Sequence, residues 1–259
     1  MIRLAALLLA FSLVHSAQAQ TVQPPAAPKA KSAARKPAPP KAVAGQPTPN
    51  GPCGIGVFPL LFDQFGVRKI GLTVFGNEFT QITVDSWGLD DLAVDRVRAA
   101  AGPGVAVRRI PFAKALFEGY VPGIGMFQNL NSKAPDIVRQ AAGQTHCERY
   151  VVLTRAASQY IGSQNIYGIG IVNSGAPLLS TSALHAVVRI HVHDGQTFAV
   201  LKSGNGSLSG ANFLTGPPTR KIESFPEPPE AANTPAMREA TRKLLGEVLD
   251  KSLPELLAR

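Results

Sequence analysis

The chain is poor in cysteine, in charge and, over its first fifty-one residues, in acid. Two cysteines in 259 residues exclude a disulfide-dense miniprotein and a four-cysteine zinc ribbon. No internal apolar run approaches the ~20 residues that would cross a bilayer as a helix, so no transmembrane segment is expected after residue 19. Charged residues are 17% of the chain against 45% hydrophobic ones, a balance that excludes disorder throughout and leaves enough apolar surface for a core. Absent as well are a Gly-x-Ser-x-Gly elbow, a His-Glu-x-x-His pair and two carboxylates flanking a plausible cleft. The sequence therefore names no catalytic residue and no cofactor, and an enzyme is the less expected outcome.

Residues 1–19 have the order of a secretory signal peptide: Arg3, an apolar stretch from Leu4 to Val14, then Ala17-Gln18-Ala19 as a small-x-small cleavage site. A periplasmic or secreted location is the expectation. Residues 20–51 carry eight prolines among alanines, with Lys29, Lys31, Arg35, Lys36 and Lys41 and no acidic residue. With valine the only apolar side chain larger than alanine or proline, such a segment cannot offset its ordering entropy; it reads as a basic, semi-stiff tether of polyproline II character. With Arg3 and the tether set aside, twenty basic residues face all 17 acidic ones, so the remainder carries about +3 of the chain's +9. Neither a basic helix nor an aromatic-studded basic strand is present, which argues against nucleic acid and for an anionic membrane or cell-wall surface as the tail's partner.

The remaining residues, 52–259, read as one α/β domain: a single mixed sheet flanked by helices, opening with a β-meander and closing with a long amphipathic helix. Strands are expected over 55–62, 67–75 and 79–84, turning at Asp63-Gln64 and Gly76-Asn77. Helical spacing follows over 86–102, then a strand over 105–110 and short helices over 111–118 and 134–143. Val151, Val152 and Leu153 in the strand 149–156 form a continuous apolar run, the mark of a strand covered on both faces. Strands over 166–172 and 184–193 lead to Asp194-Gly195 as a two-residue hairpin signal into 197–202. Thr234 caps the last helix, with Pro235 as its first residue; Pro254 is expected to break it, with Ser252 and Glu255 spaced as a second capping box.

This order of elements resembles the domain of the curli secretion lipoprotein, of the N-terminal part of the Tol-system propeller protein and of the outer-membrane activators of penicillin-binding proteins. The resemblance spans residues 86–257 and is strongest at Arg149-Tyr150-Val151-Val152-Leu153-Thr154, at the Asp194-Gly195 hairpin and in the final helix. It implies a protein that binds others in the envelope. A lipid-acceptor cysteine is missing, and the opening meander is longer than the usual single first strand. The phrase from Lys69 to Glu78 is similar to that of uncharacterised secreted bacterial proteins, which implies no activity.

Cys53 and Cys147 each stand just ahead of an expected strand. If those strands lie parallel and adjacent, an oxidising compartment joins the two sulfurs; the alternatives are two free thiols, or a nucleophile of Cys147 paired with His146. His185, Arg189, His191 and His193 share one face by period two, opposite Leu184, Ala186, Val188, Ile190 and Val192. That face reads as half-exposed and polar; a metal-binding module, or a hydrolase acting on an envelope polymer, would draw on the same histidines. In the glycine-rich segment 119–134, Tyr120, Met126 and Phe127 either pack over the core or present a surface to a partner. The glycines from Gly168 to Gly175 lack the lysine of a phosphate loop and mark a bulge or a close backbone approach.

Overall fold

The computed structural model describes residues 52–71, 76–118, 120, 133–161, 164–175, 180–209 and 216–258. Its central strand is β1 (Cys53–Leu60), flanked in parallel by β4 (Val107–Arg109) and β5 (Cys147–Arg155). β5 continues antiparallel to β10 (Val188–Asp194) and β10 to β11 (Val200–Asn205), giving the order β11-β10-β5-β1-β4. Val151, Val152 and Leu153 are all fully buried, as their continuous run predicts. Val151 and Leu153 face a core built with α1 (Leu89–Ala101) and α3 (Pro235–Leu257), while Tyr150 and Val152 face a second core under α2 (Ala134–Ala142) and Phe117.

The class is mixed α/β with a long C-terminal helix, as expected, but the strands divide among several sheets rather than one. A second five-stranded sheet has the order β12-β9-β8-β2-β3, formed by β12 (Thr219–Ile222), β9 (Thr181–Ala186), β8 (Ile169–Ser174), β2 (Gln64–Ile70) and β3 (Glu78–Thr83). The hairpin β6 (Ala157–Ile161) with β7 (Gln164–Tyr167) stands apart. The opening is thus no three-stranded meander: only β2 and β3 pair with each other, and β1 belongs to the first sheet. Phe62 and Asp63, both at positive φ (60° and 45°), turn the chain out of one sheet and into the other. Asp63 also accepts the Leu89 amide at 2.9 Å, and Asp90 accepts the Leu61 amide at 3.0 Å, so the start of α1 and this turn fix each other.

Three strand-to-strand passages meet at one seam. Ala156 N–H donates to Val187 O (3.0 Å), Val187 N–H to Gly168 O (2.8 Å) and Gly168 N–H to Ala156 O (2.9 Å). These single residues separate β5 from β6, β9 from β10 and β7 from β8, which is why the two apolar runs at 166–172 and 184–193 each make two strands instead of one. Gly168 has φ 66°, a conformation glycine adopts without steric cost.

The Asp194-Gly195 hairpin forms, with a longer turn than a two-residue one. The Asp194 carboxylate accepts from Gln196 N–H, Thr197 N–H and the Thr197 hydroxyl, and Phe198 takes the left-handed conformation at φ 61°. Gly195 serves a close approach instead: a Cβ there would lie 1.9 Å from the Cys147 carbonyl oxygen. Thr234 caps α3 through the Met237 amide at 3.2 Å, yet Pro254 does not break that helix. It falls in the last turn, where Leu253, Leu256 and Leu257 are buried and Arg149 and Lys202 bond the terminal carbonyls, so packing outweighs one missing amide. Ser252 is no cap: its buried hydroxyl accepts the Ser207 amide at 3.0 Å. Among the described residues no helix is long and apolar enough to cross a membrane.

Candidate functional site

β1 and β5 run parallel and stop together, at Leu60 and Arg155, beside the three-residue seam. The space beyond the carboxyl ends of parallel strands is where open α/β sheets usually hold ligands. Here it is a cavity of about 390 Å3, lined by Leu60, Phe62, Phe117, Tyr120, Thr154, Arg155, Ala156, Ala157, Tyr167 and Arg189. Among the described residues its lining carries two arginines and no acidic residue. Among the described residues neither arginine meets a carboxylate. The Arg155 guanidinium lies over the rings of Phe62 and Tyr167, 5.9 and 5.3 Å from their centroids. Its stem crosses Gly168, where a Cβ would come within 2.9 Å of Arg155 Cδ. Arg189 is half-buried and its Nε donates to Asn205 Oδ1 at 2.9 Å; burial pulls its pKa below the usual arginine value.

Tyr120 joins the cavity to the histidine strand. Its hydroxyl lies 2.7 Å from His193 Nε2, and His193 Nδ1 lies 2.8 Å from the Phe198 carbonyl oxygen. A carbonyl only accepts, so Nδ1 carries the proton and Nε2 accepts from the tyrosine. The pair ends on backbone, with no carboxylate behind the imidazole among the described residues. Burial raises the Tyr120 phenol and lowers His193. His191 stands beside them, its ring centroid 6.1 Å from that of Tyr120 and 6.4 Å from that of His193. Neither of its nitrogens has a hydrogen-bond partner among the described residues. Burial, then His193 and Arg189, hold its pKa down at about 3.

The histidine face is therefore not a half-exposed one: His191 and His193 are fully buried and His185 is 2% exposed. Tyr120, laid down after β4, covers the end of it, with Phe117 packed against its ring. His185 is separated from the other two, because it belongs to β9 in the second sheet. Burial brings its pKa to about 4, the Tyr167 backbone opposing and Arg68 assisting. Among the described residues no three His, Cys, Asp or Glu side chains converge as a metal site would require. Met126 and Phe127 lie outside the described residues. Cys53 and Cys147 are register partners at the starts of β1 and β5 and form a disulfide, with Cα atoms 4.5 Å apart.

Arg155, Tyr167 and Phe62 were not among the residues the sequence points to. A charged residue closing a strand buried on both faces, with a glycine available for its stem, is the signal that would find Arg155. Two larger cavities have other chemistry. One of about 780 Å3 carries both signs, Lys69 and Lys221 against Glu78, Glu223 and Glu227, with Lys69 bonded to Glu227 at 2.9 Å. One of about 710 Å3 between β11 and α3 contains Arg149 and Lys202, which are spent on the helix-end carbonyls.

No protein-family model matches the chain, and no curated protein matches it. Among solved structures it is similar to protein XCC0632 from Xanthomonas campestris, of the family DUF330: TM-score 0.36, 11% identity, covering 79% of this chain and 87% of that one. It is similar as well to the hypothetical protein CT253 from Chlamydia trachomatis, with TM-score 0.32 and 11% identity over 78% of this chain and 98% of that one. A third is lipoprotein GNA1162 from Neisseria meningitidis, with TM-score 0.30 and 14% identity over 68% and 88%. At such scores nothing about the cavity is carried over from these proteins.

Proposed function

We propose that the chain is a non-catalytic binding protein of the bacterial cell envelope, periplasmic or secreted. In this reading residues 1–19 are its signal peptide, residues 20–51 a basic tether that reaches the anionic cell surface and residues 52–259 the domain that takes a separate envelope partner. The observation that carries it is the chemistry of the cavity. What opens onto the space is suited to recognition, two arginines and a set of rings, whereas the imidazole that would move a proton, His193, is buried and closed onto a backbone carbonyl. The disulfide between β1 and β5 supports an oxidising compartment.

The test is cosedimentation of the mature protein with anionic vesicles and with cell-wall sacculi, the supernatant being searched for released fragments. Full-length protein should sediment at low salt and be released as the Debye length falls from ~10 Å at 0.1 M to ~3 Å at 1 M. Deleting residues 20–51 should abolish this without lowering the melting temperature, and no fragments should appear. Turnover of wall polymer or of ester substrates that His191→Ala or His193→Ala abolishes would overturn the reading in favour of a hydrolase.

A further inference from the structure

Arg155 and Arg189 are both half-buried and line one cavity with no acid among the described residues. A cation drawn out of water without a counter-charge is costly, and the cost falls when an anion binds beside it. Both arginines are also held in place before any ligand arrives. The stem of Arg155 is laid over Gly168 and its head over two rings; Arg189 is oriented through Nε by Asn205. Planar forks fixed in this way suit the oxygens of a carboxylate or phosphate.

The other walls set the rest of the ligand. Phe62, Phe117, Tyr120 and Tyr167 present rings, and Leu60, Ala156 and Ala157 add aliphatic surface. A bare inorganic ion would leave that surface wet. The volume, about 390 Å3, lies in the range of small-molecule sites, ~300–1,000 Å3, and is too small for a folded partner.

We propose that this cavity binds a small organic anion, its carboxylate or phosphate against Arg155 and Arg189 and its apolar body among the rings. The proposal rests on the binding-protein reading above and names the ligand class of that site. It is tested by calorimetric titration of the full mature chain with 2-naphthoate, 2-naphthyl phosphate and the uncharged 2-naphthylmethanol. At least one anion should bind about tenfold or more tightly than the alcohol. The anion that binds identifies the head group: an acyl acid if naphthoate, a phosphomonoester if naphthyl phosphate.

Arg155→Ala and Arg189→Ala should each weaken the anion by about tenfold or more, while Lys202→Ala, in a different cavity, should leave it unchanged. If an alanine variant does not fold, Arg155→Lys and Arg189→Lys keep the charge and lose the fork, and should still weaken binding severalfold. The proposal is overturned if neither anion binds at about 1 mM, if the alcohol binds equally, or if the arginine variants bind like the parent. Tail-dependent sedimentation, measured on the same variants, separates this outcome from failure of the broader reading: the cavity substitutions should leave it intact.

Discussion

His191 and His193 stand two residues apart on β10, both without solvent exposure, yet replacing them should have opposite consequences. His193 joins Tyr120 to the Phe198 carbonyl. Leucine there leaves a buried phenol without an acceptor and a partly buried carbonyl without a donor, a loss of about 2–3 kcal/mol. His191 has no hydrogen-bond partner among the described residues, so leucine removes a desolvated polar group and fills similar space. That change should be neutral or stabilising by about 1 kcal/mol. Urea unfolding of the two variants at pH 7.5 checks the pair, and His191→Leu proving the more damaging would show that its ring is bonded after all. The sequence places both residues on one face but not inside, because the segment that covers them follows a different strand.

At the level of elements, the strand starts at Cys53 and Cys147 are the clearest case of inference from position alone. Two cysteines at the starts of two strands meet if those strands are parallel neighbours, as β1 and β5 are. The loop they close spans 94 residues, worth ~4–5 kcal/mol in the chain-entropy treatment. Replacing both by serine should lower the melting temperature by on the order of 10 °C while leaving the strand order unchanged; a shift under about 2 °C would mean the unfolded chain is already constrained. Strand identity was legible wherever apolar residues ran together, as in β5, and capping where Thr234 precedes Pro235. Sheet membership was not. The breaks at Gly168 and Val187 depend on hydrogen bonds between residues far apart in sequence, and hydrophobic periodicity runs through them unchanged. For the same reason Pro254 looked like a stop: its cost is local, whereas the buried leucines around it are a tertiary effect. The cavity inherits this limit, since Arg155 and Arg189 come together only through the pairing of β5 with β10.

For the molecule as a whole, buried ionisable groups of opposite sense should set the response to acid. Burial holds His185 at about 4 and His191 at about 3, and lowers His193 as well, so the native state keeps these imidazoles neutral where the unfolded chain, near 6.5, takes up protons. The unfolded state then binds more protons, and stability that is fully present above pH ~6.5 is lost as pH falls toward the native values. Asp90 acts the other way. Burial first, then the nearby Asp63, raises it from 3.8 to about 6, with the Leu61 amide and Arg109 opposing. Its native state holds the extra proton, so its contribution is complete below pH ~3.8 and is lost as pH rises through 6. Between about pH 4 and 6 one carboxyl therefore offsets part of what the imidazoles do, and the net slope of unfolding free energy with pH should be positive, ~1–3 kcal/mol per pH unit near pH 5. Asp90→Asn removes the opposing proton and should steepen that slope; His191→Leu should flatten it; toward pH 7.5 the slope from these groups should fall away in all three proteins. Urea midpoints measured every half unit from pH 4.5 to 7.5 give the curves directly. A flat parent curve across this range, or one that Asp90→Asn leaves unchanged, would mean that water reaches these side chains and that the interior is less dry than their burial indicates.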